Sequence, residues 1–409
     1  MQLKDACIQV LRDNDRGEVT VPSPKLYPHQ WAWDSAFAAI GWAHIDPARA
    51  VRELASLING RWQDGRVPHI QFDLSADGYW PGPDFWGTER STSITQPPVW
   101  ASAARRMVEL GVGLDALSPL LAGIEASHQF FATARDPEGL GLVAVVHPWE
   151  SGRDNCPAWD GALGDVDPTR APAFTRRDTQ HVSDPAERPT DDTYRRYAVL
   201  VNAIEADNFG PGPFAVYDPM MTALLAKADQ DLAYLAEAAG MMQIAASAAA
   251  RAARAQDSLL STLWRPELGR FAFMARRSPA KGFETFTPDV LAAHLPLVLD
   301  LPAEVTAALK ASLQERYTTD WPLATHAPRE ATFEPRRYWR GPTWINMNWL
   351  LVPSLGAELA ERTLGLVQKS GFREYFDPTT GEGLGADQFT WTAALALDLL
   401  ERGFVPKSC

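Results

Sequence analysis

The sequence predicts an all-α protein of about twelve helices, and three observations carry that expectation. Most of the chain falls into segments with apolar residues at helical spacing, and few runs alternate as strands do. These segments are joined alternately by short connections and by long loops rich in Gly, Pro, Trp and Asp. Runs of small residues, such as Ala32 to Ile40 and Ala101 to Arg105, suit helices packed tightly on all sides. If consecutive helices pair as antiparallel hairpins, short turns gather at one end of the assembly and long loops at the other. A closed double ring, six helices inside six, would hold a funnel at the long-loop end.

The elements follow in order. Leu3, Cys7, Val10 and Leu11 share one helical face, so MQLKDACIQVLRDND reads as a first helix and not as a secretory leader. Val19 to Pro28 is extended and punctuated by proline. A helix of small residues runs from Ser35 to His44, and Asp46-Pro47 opens the next with Asp as N-cap and Pro at its first position. Residues 62 to 92 form a long loop of the kind that is more often functional than idle. Gln96 to Leu110 and Leu114 to Ala134 are helices joined by Gly111-Val112-Gly113.

The apolar segment Gly141 to Val146 leads to a central loop, and residues 161 to 187 are irregular. Thr190 or Asp191 caps a helix to about Ala206. Pro219 to Leu263 supports two helices broken around Ala239-Gly240. After an aromatic excursion from Arg270 to Phe286 come helices near Asp289 to Leu299 and Pro302 to Tyr317, two more ending about Ser370, and a last from Asp387 to Arg402.

No polar low-complexity linker divides the 409 residues, so one domain spanning 1–409 is expected. The formal net charge of −13 argues against a nucleic-acid partner and against an anionic membrane surface. No run is long enough to span a bilayer. Cys7, Cys156 and Cys409 are an odd, widely spaced set without metal-type pairing, which fits a reducing, cytoplasmic setting. A homo-oligomer is compatible with the composition, because inner-ring and interface apolar residues look alike in sequence. The 15 tryptophans exceed what packing alone normally recruits and suggest a lined pocket.

Chemistry concentrates in His147-Pro148-Trp149-Glu150-Ser151-Gly152-Arg153-Asp154-Asn155-Cys156-Pro157-Ala158-Trp159-Asp160. Its polar groups follow neither the helical nor the strand period, and Gly152 and Pro157 interrupt both, so it reads as a rigid loop. Aromatic rings for sugar faces and carboxylates for proton transfer are the ingredients of glycoside hydrolysis. For any single acid here a solvated loop position is the ordinary reading. An acid between Arg153 and Asn155, with Trp149 and Trp159 on either side, is placed where burial raises its pKa and lets it protonate a leaving oxygen.

Elsewhere, Asp34 in Tyr27-Pro28-His29-Gln30-Trp31-Ala32-Trp33-Asp34 suits sugar hydroxyls, while Trp31 suits core packing equally well. Arg188, at a loop-to-helix junction, suits bidentate capture of a carboxylate. Capping and surface charge account fully for Asp191 and Asp192. Tyr338, Trp339 and Trp344 read as packing or as sugar platforms. Glu374, set among aromatics before Asp377-Pro378, is the best second carboxylate for a glycosidase.

HPWESGRDNCPAWD, RPTDDTYRRY, YWRGPTWINMNWL and FREYFDPTTGEGLGADQFTWTAAL together resemble glycoside hydrolase family 63. YPHQWAWDSAF resembles its mannosylglycerate and glucosylglycerate hydrolase branch, and the likeness runs in order along nearly the whole chain. The resemblance implies an (α/α)6 barrel and an inverting α-glycosidase with no metal or other cofactor. By the same resemblance Asp154 corresponds to the general acid and Glu374 to the general base, with Glu382, eight residues on in a similar Gly-rich setting, as the alternative base. Tyr27, Trp31, Asp34, Gln96 and Trp344 match positions that hold the sugar, and Trp149, Tyr338 and Trp339 join them as wall.

Arg188 and Tyr194 match the branch's grip on the glycerate carboxylate, and Tyr79 and Gln388 its closing-loop contacts. The chain carries none of the added domains of the large processing glucosidases, so a small soluble glycoside is expected, namely glucosylglycerate or mannosylglycerate. A neutral α-glucosidase or trehalase-like enzyme on the same scaffold is the competing enzyme reading. From another class, a non-catalytic sugar-binding protein would keep ligand binding after Asp154→Asn and turn nothing over. The loop 62–92 and the run 381–388 are expected to close over substrate.

Overall fold

Every one of the twelve residues of Ala32–Ala43 is buried, which requires a helix enclosed on all sides. This helix starts the inner ring. In the computed structural model, which describes residues 2–76, 79–176, 178–180, 184–210, 212–276 and 282–407, the α-helices run in chain order. They are α1 Leu3–Asp13, α2 Ala32–Ala43, α3 Pro47–Asn59, α4 Pro83–Trp86, α5 Trp100–Glu109, α6 Leu114–Ala134 and α7 Asp160–Gly164. There follow α8 Asp191–Ala206, α9 Pro219–Ala238, α10 Met242–Ser258, α11 Ala303–Arg316, α12 Ile345–Leu355, α13 Ala357–Ser370 and α14 Thr390–Glu401.

Packing sorts them into two shells. α2, α5, α9, a 3₁₀ segment Leu291–Val298, α12 and α14 touch one another in succession, and α14 returns onto α2 to close the inner ring. α3, α6, α10, α11, α13 and α1 lie against them from outside. Five inner members pass to their outer partner through a short turn, each outer member returns through a long loop, and α14, the last helix, meets its outer partner α1 across the chain ends. The fold is therefore the expected helical barrel. All six inner members begin at the long-loop end, so the positive ends of their peptide dipoles face that mouth.

Local chemistry sets the helix ends and the shell spacing. The Asp46 carboxylate accepts from Arg49 N at 3.0 Å and starts α3, with Pro47 in its first turn. Thr190, not Asp191, caps α8 by accepting from Thr193 N at 3.2 Å. At Gly41 a methyl group would stand 2.7 Å from the Ala394 Cβ, so α2 and α14 approach to a distance that only a glycine permits. The ring is also tied where α1 meets α14: the Asn14 amide donates to Gln388 O at 2.7 Å and to Thr390 Oγ1 at 2.9 Å.

One expectation is corrected, and two other segments find their place. The segment expected as a helix near 289–299 is a 3₁₀ run, Leu291–Val298, because Pro296 inside it has no N–H and its ring opposes the carbonyl four residues back. Helix α8 is no ring member and belongs to the long excursion between α6 and α9. The excursion from Arg270 to Phe286 is in part sheet, with Phe273–Arg276 pairing antiparallel to both Phe283–Phe286 and Val216–Tyr217. Ala144–Val145 adds the fourth strand, so this small sheet braces the segment leading into the central loop. Cys7 and Cys156 are buried free thiols, and Cys409 lies outside the described residues. No described helix is long and apolar enough to cross a membrane.

Candidate active site

Asp154 owes its position to the loop around it. Pro148–Ser151 and Pro157–Trp159 form single 3₁₀ turns on either side, each with proline at its start. The Arg153 guanidinium is ion-paired with Asp218, the N-cap of α9. Trp159 Nε1 donates to Arg153 O at 2.8 Å, and the Tyr197 hydroxyl donates to Asp154 O at 2.5 Å. The backbone on both sides of Asp154 is thus pinned while its carboxyl stays partly open. Burial, opposed by Arg188 and assisted by the nearby Glu374 and Asp178, pushes this carboxyl up to about 7.

Its two neighbouring acids separate from it. Glu150 is buried in an ion pair with Arg135, Nη2 to Oε1 at 2.6 Å, and also accepts from Val146 N at 3.1 Å. Asp160 is exposed and pairs with Arg340.

Glu374 approaches from the other end of the chain. It precedes the strand Tyr375–Phe376, which pairs antiparallel with Gly383–Leu384 in a hairpin. Its Oε2 accepts from Ala386 N at 2.9 Å, and its Oε1 accepts from the Tyr27 hydroxyl at 2.7 Å. Gly385, at φ +66°, leaves room for this, since a Cβ there would lie 2.5 Å from Glu374 Oε2. Only 1% of Glu374 is exposed. Glu382, by contrast, has 58% of its side chain in solvent and pairs with Arg336 at 2.6 Å. The hairpin turns one acid into the funnel and the other out.

Arg188 links the groups. Its Nη2 donates to the Tyr27 hydroxyl at 3.1 Å, its Nη1 lies 3.6 Å from Glu374 Oε1, and its guanidinium stacks on Tyr338 at 4.0 Å. Nη1 is buried and makes no hydrogen bond. Asp34, in the first turn of α2 and 3% exposed, is pushed well above the usual carboxylate range by burial and by Glu374. Tyr79 is partly buried, and its hydroxyl is pushed up by burial and by nearby Tyr194, Asp154 and Asp178 against the opposing Arg188. Its ring meets His29 edge-on at 4.8 Å and Trp31 at 6.3 Å.

The remaining expected residues fall into three positions. Trp31 stands edge-on to Tyr27 at 5.2 Å, and Trp149 packs with Tyr194 at 6.4 Å and His147 at 4.5 Å. Trp339 and Trp344 stack face to face at 3.8 Å and are fully buried beneath Tyr338, so they brace the wall from behind. Gln96 is buried with its amide oxygen accepting from Trp33 N at 3.1 Å, so it also caps α2. Gln388 is exposed, at φ +52°, and its carbonyl is held by Asn14.

Sequence reasoning did not single out Arg176 or Asp178, which meet Arg188 and Tyr194 from the irregular segment 171–187. No periodicity or motif marks them. Among the described residues no group of three or more His, Cys, Asp or Glu is disposed to hold a metal ion.

A double helical ring whose mouth gathers buried carboxylates, an arginine and a wall of aromatic rings is the frame of a glycoside hydrolase. Residues 27–392 match the family model described as the mannosylglycerate hydrolase MGH1-like glycoside hydrolase domain, and the chain belongs to that family. It is 39% identical to the mannosylglycerate hydrolase of a strain of Thermus thermophilus, over 95% of this chain and 98% of that protein. It is 33% identical to the glucosylglycerate hydrolase of Mycolicibacterium hassiacum, over 98% of each. Among solved structures, the family 63 mannosylglycerate hydrolase of another Thermus thermophilus strain, in complex with Tris and D-glycerate, superimposes with a TM-score of 0.91. That match is at 38% identity and covers 98% of this chain and all of that one (100%).

Proposed function

We propose that this chain hydrolyses the α-glycosidic bond of a small glycerate glycoside, mannosylglycerate or glucosylglycerate, with inversion at the anomeric carbon. The observation that carries the reading is Arg188: a buried guanidinium beside the carboxylates whose Nη1, 3.6 Å from Glu374, makes no hydrogen bond, so the carboxylate of an aglycone is a natural further partner. Two relatives of matching length are named for these two glycosides, and one related structure holds D-glycerate.

Asp154 acts as the general acid. Pushed up to about 7, it still holds a proton in about half of the molecules at pH 7 and in more below it, and delivers that proton to the glycosidic oxygen as the bond breaks. Glu374 acts as the general base, taking a proton from the water that attacks the anomeric carbon from the opposite face. For that water to fit, inverting carboxyls stand about 6.5–9.5 Å apart. Tyr27 and Arg188 at Oε1 and Ala386 N at Oε2 hold the Glu374 carboxylate in one orientation, which keeps its reach toward that water fixed. Asp34 and Gln96 meet sugar hydroxyls, Tyr27, Trp31, Trp149 and Tyr338 line the sugar, and Trp339 and Trp344 support them. Arg188 and Tyr194 hold the glycerate carboxylate, with Tyr79 and Gln388 closing over it.

The deciding experiment is proton NMR of the purified protein with mannosylglycerate, with glucosylglycerate and with trehalose, following the anomeric signal of the released sugar. The β-anomer is expected first, and from a glycerate glycoside only. The α-anomer first would overturn inversion, and turnover of trehalose alone would overturn the glycerate assignment.

A further inference from the structure

Asp178 occupies an unusual place. Its carboxylate accepts from Arg176 through two bonds, Nε to Oδ1 at 3.0 Å and Nη2 to Oδ2 at 2.8 Å. The same Oδ2 also accepts from Arg188 Nε at 3.3 Å and from the Tyr194 hydroxyl at 3.1 Å. Arg188 and Tyr194 are the two side chains assigned above to the carboxylate of the aglycone. In the free protein they are already holding one.

The segment that brings Asp178 there is attached by side chains. Among the described residues, no backbone hydrogen bond ties 172–183 to a ring helix. Phe174 stacks on Trp80 at 4.7 Å, and Arg176 donates to Pro189 O at 2.6 Å and pairs with Asp191 at 2.9 Å while lying over the Tyr194 ring at 4.0 Å. Arg188 is buried and keeps Glu374 beside its Nη1 at 3.6 Å throughout, but its Nε and the Tyr194 hydroxyl would be left without their acceptor if Asp178 withdrew and no other carboxylate took its place.

We propose that Asp178 is a resident carboxylate that exchanges with the ligand's: it occupies the aglycone subsite between turnovers, yields it to the substrate, and returns as glycerate leaves. The idea rests on the function proposed above. Substituting one carboxylate for another on the same donors keeps Arg188 compensated throughout and makes the exchange close to balanced. The consequence is weaker binding of substrate and product than the bare donors would give. Product release is thereby built into the subsite. Asp178 is a positioning residue in this account, since it touches neither the sugar nor the reacting atoms.

The test measures D-glycerate affinity by calorimetry, together with KM and kcat on the preferred glycerate glycoside, for the full chain and for Asp178→Asn and Asp178→Ala. If Asp178 competes, D178N binds D-glycerate about tenfold more tightly, a gain worth about 1.4 kcal/mol. KM falls in the same proportion, and kcat stays level or drops as product lingers. If Asp178 instead serves only to hold Arg188 and Tyr194 in place, both variants bind glycerate more weakly and KM rises. That result, or an unchanged affinity, overturns the proposal. D178A provides the same comparison should D178N fold poorly, with thermal melting as the check on each. A parent that hydrolyses only neutral glucosides would overturn the functional reading itself. A parent active on glycerate glycosides with a raised KM in D178N overturns this inference alone.

Discussion

At Asp154, burial decides the chemistry. A carboxyl near 7 is protonated below that pH and loses its proton as pH rises through it, so a general acid there fails on the alkaline side. The alkaline limb of kcat/KM is therefore expected near pH 7 for a glycerate glycoside, and Asp154→Asn should lower kcat at least about a hundredfold. Arg188 holds that pKa down, so in Arg188→Ala the limb should move to higher pH while KM rises at least about tenfold, because the substrate carboxylate loses its partner. An unmoved limb would remove Arg188 from the neighbourhood of the acid. The two glutamates of the hairpin are separable in the same way. Glu374→Gln should abolish most turnover, whereas Glu382→Gln, at an exposed ion pair, should change it by no more than about twofold. Rate constants for the pair decide which acid activates water.

Among the elements, α2 and α14 depend on contact through Gly41. Valine there would have to force the helices apart against the Ala394 Cβ, at a cost of about 1–3 kcal/mol. Thermal unfolding should show this as a lowered midpoint. An unchanged midpoint would mean the shells yield more readily than their packing suggests. The loops at the mouth make a second prediction. Trp80 of the 62–92 loop stacks on Phe174 of the 171–187 segment, so ordering of one by substrate should order the other. Limited proteolysis with and without a glycerate glycoside should show protection within 62–92 and 381–388 on binding. Equal cleavage in both samples would count against closure.

The whole molecule is a closed ring whose first helix packs on its last. Because Asn14 carries two hydrogen bonds to residues 388 and 390, opening that seam leaves buried polar groups unpaired on both sides. We expect residues 1–409 to unfold as one cooperative domain, in a single calorimetric transition. Two resolved transitions would divide the chain into separate units. The net charge of −13 belongs to this scale as well: on the function proposed above, the dipole ends of the inner helices and Arg188 draw an anionic ligand into a molecule that repels it as a whole.

Helical period and capping chemistry are local, so α6 at Leu114–Ala134 and the Asp46 cap were legible in the residues alone, and the cap of α8 was narrowed to Thr190 or Asp191. The alternation of short and long connections carried the double ring too, because it follows from chain connectivity and needs no contact to be seen. Asp154 and Arg188 stood out because an acid or arginine beside tryptophan and proline breaks every simple pattern. The chain order did not decide what depends on groups far apart in it. Glu374 faces the funnel and Glu382 faces water because a hairpin turns between them. Trp339 and Trp344 became a buried stacked pair because Tyr338 covers them. Asp178 meets Arg188 and Tyr194, ten and sixteen residues further on, only once the chain has folded. Burial and electrostatic coupling fall off with distance in space and are blind to separation along the chain, so only the tertiary fold could bring these charges together.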